Sequence, residues 1–263
     1  KINIIDVPGY FDFIGEMYGA LTAVDGAVIV ISAVSGVAVG AEKAWDYCKE
    51  KDIPRMVFVN QMDRENADYF KVLDELKDKY GTAIAPVQVP IMGGGAFKGY
   101  VDILNMTAWE FAGKQMKEIP IPDDLMDRVE SLREMIVEAA AENDDELLEK
   151  YFSGEELSNE EIRTALRKGI ISASVVPVLC GAALQNAGVQ ALMDNILEFM
   201  PSPEERPAMT WSNPKSGNEE ERKADEKAPF SAQVFKTVAD PFVGKLSLFR
   251  VFSGTLTTDM SLY

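Results

Sequence analysis

The sequence contains no histidine among its 263 residues. That removes imidazole acid–base catalysis, every Ser–His or Cys–His nucleophilic arrangement, and the commonest metal ligand. Cysteine is nearly absent as well. Cys48 and Cys180 give no disulfide framework, read as buried packing residues, and are too few for a structural zinc site. No stretch has a signal-peptide layout, and the apolar run at 27–33 falls far short of the ~20 residues a membrane span needs. These absences together predict a cytoplasmic protein with no membrane partner. Basic residues are scarce: 26 Lys and Arg stand against 43 Asp and Glu, a net charge of −17. A broad phosphate-binding face of the kind DNA requires is excluded, while local RNA contacts by a few basic side chains, or a basic protein partner, are not.

What is present is enough hydrophobic residue, 47% of the chain, to build one large domain or two ordinary ones. Residues 2–5, 27–33 and 56–59 are continuous apolar runs, the pattern of parallel strands buried on both faces. Helical stretches at 16–24, 41–51 and 68–79 alternate with them, which predicts a doubly wound, mainly parallel α/β sheet over residues 1–84. Near residue 85 the pattern changes to short strands at 87–90 and 98–104 around a glycine patch at 93–95. A long helix follows from Asp123, with Leu125, Val129, Leu132, Ile136 and Ala139 on one face. A further helix starts at Ser158, where Glu161 completes a capping box.

Residues 176–180 again read as a strand and 188–200 as a helix, closing at Pro201-Ser202-Pro203. Residues 85–175 are therefore expected to be an inserted α+β subdomain, with 176–203 returning to the first domain. The insertion holds 18 acidic and 9 basic residues. This bias reads either as a solvated face or as a docking surface for a basic partner. Residues 204–228 are polar and charged, as in a linker, and 229–263 read as the first strands of a β-barrel.

In an open α/β sheet ligands bind beyond the C-terminal ends of the strands, and Asp6 and Asn60 are expected there. Asp6 heads the run Asp6, Val7, Pro8, Gly9, Tyr10. A carboxylate at such a place can hold Mg2+ through water, and Gly9 lets a backbone N–H approach a γ-phosphate. Alone, D-x-P-G equally describes an ordinary strand-to-turn junction. Asn60, Gln61, Met62 and Asp63 form an N-x-x-D run that can read guanine. The aspartate accepts from N1–H and the 2-amino group, and the asparagine meets the other edge; adenine offers the aspartate no such donor pair. Gly181, Ala182 and Ala183 after the strand at 176–180 can present backbone N–H groups to the base carbonyl, or serve as a close-packing turn. No G-x-x-x-x-G-K-[ST] phosphate loop occurs in the sequence.

The runs I-N-I-I-D-V-P-G-Y-F-D-F (2–13), D-G-A-V-I-V-I-S-A (25–33) and P-R-M-V-F-V-N-Q-M-D-R (54–64) resemble the bacterial elongation factor G family of translational GTPases. So do L-L-E-K-Y-F-S-G-E-E-L (147–157), C-G-A-A-L-Q-N-A-G-V-Q-A-L-M-D (180–194), P-S-P (201–203) and D-P-F-V-G-K-L-S-L-F-R-V-F-S-G (240–254). The resemblance implies GTP or GDP and Mg2+ as ligands and the ribosome as partner. Contacts would include ribosomal RNA, and the stalk protein through the acidic insertion. It further implies that this stretch lacks the phosphate loop, the first switch, most of the barrel and the later domains, so that by itself it holds GTP poorly and does not turn over.

Departures from the family pattern bear on mechanism. Where the family has D-T-P-G-H, Tyr10 replaces the histidine that positions the attacking water, as in an elongation-factor-G-like paralogue group rather than the main translocase. A phenol cannot act as a cation near neutral pH. Gln61 replaces the lysine of N-K-x-D, and Ala182 a serine, which implies somewhat weaker nucleotide affinity with guanine preference kept by Asp63. A tetracycline ribosomal-protection-type factor shares this architecture. A ribosome-binding switch that holds nucleotide but barely hydrolyses it is the rival of a different kind.

Overall fold

The computed structural model describes residues 1–113, 115–213 and 216–261, so the last two residues of the 229–263 stretch lie outside it. The chain sorts into two compact units: Lys1–Asp25 together with Pro201–Tyr263, and Gly26–Met200.

In the first unit, residues 1–9 carry no regular structure. Residues 2–5, expected as a buried parallel strand, enter no ladder, and Ile4 is 74% exposed. Apolarity makes a segment tolerant of burial, but a strand exists only where a neighbour completes its N–H and C=O groups. A short 3-10 turn, Phe11–Phe13, then leads into α1 (Ile14–Leu21).

The second unit opens with regular alternation: β1 (Ala27–Ser32), α2 (Val39–Glu50), β2 (Arg55–Asn60), α3 (Tyr69–Tyr80) and β3 (Ile84–Pro86). Asp68 caps α3 by accepting from the Lys71 N–H at 3.0 Å. The chain continues into an antiparallel sheet, β4 (Gln88–Gly93), β5 (Ala96–Asp102), β6 (Thr107–Ala112) and β7 (Gln115–Ile119). Three helices follow: α4 (Asp123–Ala141), α5 (Asp145–Ser153) and α6 (Asn159–Ile171). On α4, Val129, Leu132, Ile136 and Ala139 are buried as their spacing predicts. α6 begins on the predicted capping box, in which the Ser158 hydroxyl oxygen accepts from the Glu161 N–H and the Glu161 carboxylate accepts from the Ser158 N–H. β8 (Val176–Cys180) and α7 (Val189–Phe199) complete the unit.

β8 inserts between β2 and β3, giving a parallel sheet of order β1-β2-β8-β3. β2 and β8 thus have a strand on each side. Met56, Val57, Phe58 and Val59 are at most 2% exposed, each such side chain contributing about 1.5–3 kcal/mol by burial. One buried cluster runs from Ile29 on β1 through Val89 and Val101 of the antiparallel sheet to Ile136 and Ile170 on the helices.

The two sheets divide at Gln88. β3 pairs with β8 as far as Pro86 opposite Val178, and Val87 still donates to the Val178 carbonyl at 3.1 Å. Beyond that the chain turns away, and the Gln88 Oε1 takes the place of a ladder acceptor, receiving the Cys180 N–H at 3.3 Å. The buried Tyr69 hydroxyl donates to the Gln88 carbonyl at 2.7 Å.

Back in the first unit, the stretch expected as linker carries an antiparallel hairpin, β9 (Met209–Ser212) and β10 (Glu219–Arg222). Its polarity hides one anchor: the Trp211 ring meets Phe252 edge-on, centroids 5.7 Å apart. Phe252 lies on β12 (Gly244–Ser253), which pairs antiparallel with β11 (Ser231–Asp240).

Candidate functional site

The C-terminal ends of β1, β2 and β8 lie side by side, with Ser32 opposite Asn60 and Val59 opposite Cys180. The loop that leaves β2 holds the N-x-x-D run. Gln61 adopts a left-handed conformation, φ 66°, and its Oε1 accepts from the Ser32 hydroxyl at 2.6 Å. That hydroxyl oxygen in turn accepts from the Val34 N–H at 3.2 Å. Met62 is 1% exposed and its N–H donates to the Gly181 carbonyl at 3.1 Å. Its side chain is therefore an inward anchor for the loop, while Asn60 and Asp63 are half-buried at the surface.

The loop that leaves β8 is tighter. Gly181 donates to the Val59 carbonyl at 2.9 Å, and Ala182 and Ala187 exchange hydrogen bonds of 2.9 and 3.2 Å across a short turn. A Cβ on Gly181 would stand 2.4 Å from the Phe58 ring and 2.7 Å from the Ala187 oxygen, so glycine is required there by the protein's own packing. Asn186, φ 55°, and Gly188, φ 80°, reverse the chain into α7.

Two side chains lace these loops together. Asn60 Oδ1 accepts from the Ala183 N–H at 2.9 Å, and Gln185 Nε2 donates to Asp63 Oδ2 at 3.2 Å. The structure thus brings Asn60, Gln61, Met62 and Asp63 to Gly181, Ala182 and Ala183. It adds Ser32 and Gln185, which sequence reasoning did not single out. Both lie within the runs 25–33 and 180–194, but only the loop that folds against each marks it out.

Asp6, Val7, Pro8, Gly9 and Tyr10 belong to the other unit. No strand precedes Asp6, so it does not stand at a strand end; its carboxylate is exposed, and Tyr10 is 78% exposed. A Cβ built on Gly9 meets nothing within 4 Å, so packing places no demand for glycine at that position. Among the described residues no group of three or more His, Cys, Asp or Glu could hold a metal. Mg2+ on a nucleotide takes one or two carboxylates, with phosphates and waters filling the remainder, and one exposed aspartate fits that donor set. Burial pushes the Cys48 thiol up to about 11, opposed by Arg55, and raises Cys180 as well, so both behave as packing residues.

Loops at the ends of parallel strands, laced through an asparagine and an aspartate three residues apart, suit recognition of a flat, donor-rich base. Residues 1–202 match the family model of the elongation factor Tu GTP-binding domain. The chain belongs to this family of translational GTPases. The family's ligand is a guanine nucleotide, usually with Mg2+. Over 95% of its length the chain is also similar to a protein of Thermus thermophilus of known crystal structure, with 34% sequence identity and a TM-score of 0.80. It spans 35% of that protein's length. Among the described residues no helix is long and apolar enough to cross a membrane.

Proposed function

We propose that this chain is part of an elongation-factor-G-type GTPase whose hydrolysis of GTP drives a conformational change on the ribosome in the cytoplasm. The lacing of Asn60 to the Ala183 N–H and of Asp63 to the Gln185 amide carries the reading. Asp63 offers a carboxylate to the N1–H and 2-amino group of guanine, and Asn60 is held by the Ala183 N–H to meet the other edge. Asp6 would hold Mg2+, which when bound offsets phosphate charge, and Gly9 would let a backbone N–H approach the terminal phosphate. Residues 85–175 serve as the inserted subdomain and 229–263 as the opening of the barrel. Without a phosphate loop of its own, this stretch alone binds GTP poorly.

Tyr10 favours a second reading, a ribosome-binding switch with little hydrolysis. A phenol gives a developing negative charge less electrostatic help than an imidazolium. Ribosome-stimulated GTP turnover by the full-length protein, wild type against Tyr10→His, decides between them. For an efficient GTPase the wild type turns over briskly and the substitution adds little. For a slow switch Tyr10→His raises the rate by about ten- to a thousandfold, within the range of acid–base and electrostatic contributions. Absence of nucleotide binding and ribosome association in both proteins would sink both readings.

A further inference from the structure

We infer that Gln185 is a positioning residue for the base, holding the Asp63 carboxylate in the orientation that reads guanine; this rests on the guanine-site reading above. The two bonds that lace the loops are not equivalent. Asn60 Oδ1 receives a backbone N–H, so the fold itself fixes that side chain. Asp63 Oδ2 receives its donor from a side chain, the Gln185 amide. The terminal torsion of an aspartate is soft, and a carboxylate left to water samples many orientations.

The backbone under Gln185 is well determined. It ends the short 3-10 turn Ala183–Gln185, donates its own N–H to the Ala182 carbonyl at 3.0 Å, and precedes the left-handed Asn186. The Ala182–Ala187 pair closes the turn behind it. A carboxylate offers about four acceptor positions. Gln185 occupies one and leaves enough for the two donors of a guanine edge, so the amide can stay in place when the base arrives. Gln185 is exposed, and its replacement opens no cavity.

The test uses the full-length protein with Gln185→Ala, Gln185→Asn and Gln185→Lys. Dissociation constants for GDP and for inosine diphosphate, which lacks the 2-amino group, are measured by calorimetry beside thermal unfolding midpoints. Gln185→Ala is expected to weaken GDP by about three- to tenfold, the range of one net hydrogen bond, and inosine diphosphate by less, since only the two-donor edge needs both oxygens aligned. Gln185→Asn, one methylene short, should match Gln185→Ala. Gln185→Lys, which still offers a donor, should restore most of the affinity, with unfolding midpoints unchanged throughout. Equal GDP affinity for wild type and Gln185→Ala would overturn the inference, as would equal losses for the two nucleotides. Tighter binding by Gln185→Ala would overturn it too, making the amide a competitor of the base. A wild type that binds adenine and guanine nucleotides equally, or neither, would remove the guanine reading itself and this inference with it.

Discussion

A methyl group at residue 181 would collide with the Phe58 ring and with the Ala187 carbonyl, and relief would displace either a core aromatic or the turn that carries Ala183. Gly181→Ala is therefore expected to cost about 1–3 kcal/mol, the usual penalty of overpacking. It should also weaken nucleotide binding through the displaced Ala183 N–H. Denaturant unfolding with a nucleotide titration checks both; an unchanged midpoint would mean the turn yields freely. Gln61 shows what single residues conceal in sequence. Read against the family it is a lost lysine, whereas in the structure its carbonyl oxygen accepts the Ser32 hydroxyl, a role lysine cannot take. That Asn60 and Asp63 share a loop at a strand end was legible from their spacing and place after an apolar run. The Gln185 contact was not, because it depends on which loop that side chain meets.

Helices were the most legible elements, since periodicity and caps are local. The Ser158–Glu161 box is present as spaced, and it makes a prediction about acid. The Lys150 ammonium, then the Ser158 hydroxyl and N–H, hold the Glu161 carboxyl down from 4.5 to about 2. A depressed folded value stabilises α6 above about pH 4.5, and that contribution fades as pH falls through about 2. The melting-temperature gap between wild type and Glu161→Gln should be full near neutrality and close toward pH 2. A gap that persists there would assign the effect to packing.

Strands divided by kind. β2 and β8 announced themselves as unbroken apolar runs, but β7, Gln-Met-Lys-Glu-Ile, and β10, Glu-Glu-Glu-Arg, carry almost no apolar period and exist through pairing alone. Residues 2–5 err the other way, apolar enough for a strand yet without a ladder partner. Where the sheets part, Gln88→Leu would leave the Cys180 N–H without its acceptor, at a cost of about 1–3 kcal/mol. Unfolding free energy measures it. The loss should exceed that of Gln88→Glu at low pH, where the protonated side chain still accepts.

At the scale of the whole molecule, the α/β class and the parallel sheet followed from strand–helix alternation, because burial on two faces writes itself into composition; the antiparallel strands near the end are largely exposed and were read from strand-like residues instead. The partition into Lys1–Asp25 with Pro201–Tyr263 and Gly26–Met200 did not, since compactness is set by contacts far apart in sequence. That partition places the loops after β2 and β8 within one unit, while residues 6–10 belong to the other. In the proposed site the Asp63 carboxylate selects guanine through paired N–H donors. Competition between GDP and xanthosine diphosphate on the full-length protein, wild type and Asp63→Asn, tests it most directly. Xanthine presents a carbonyl where guanine has its amino group, which an asparagine amide can meet. Wild type should prefer GDP and Asp63→Asn should reverse the preference, losing about 10- to 100-fold in GDP affinity, as expected for bonds to a charged acceptor. An Asp63→Asn protein that still prefers GDP would contradict it.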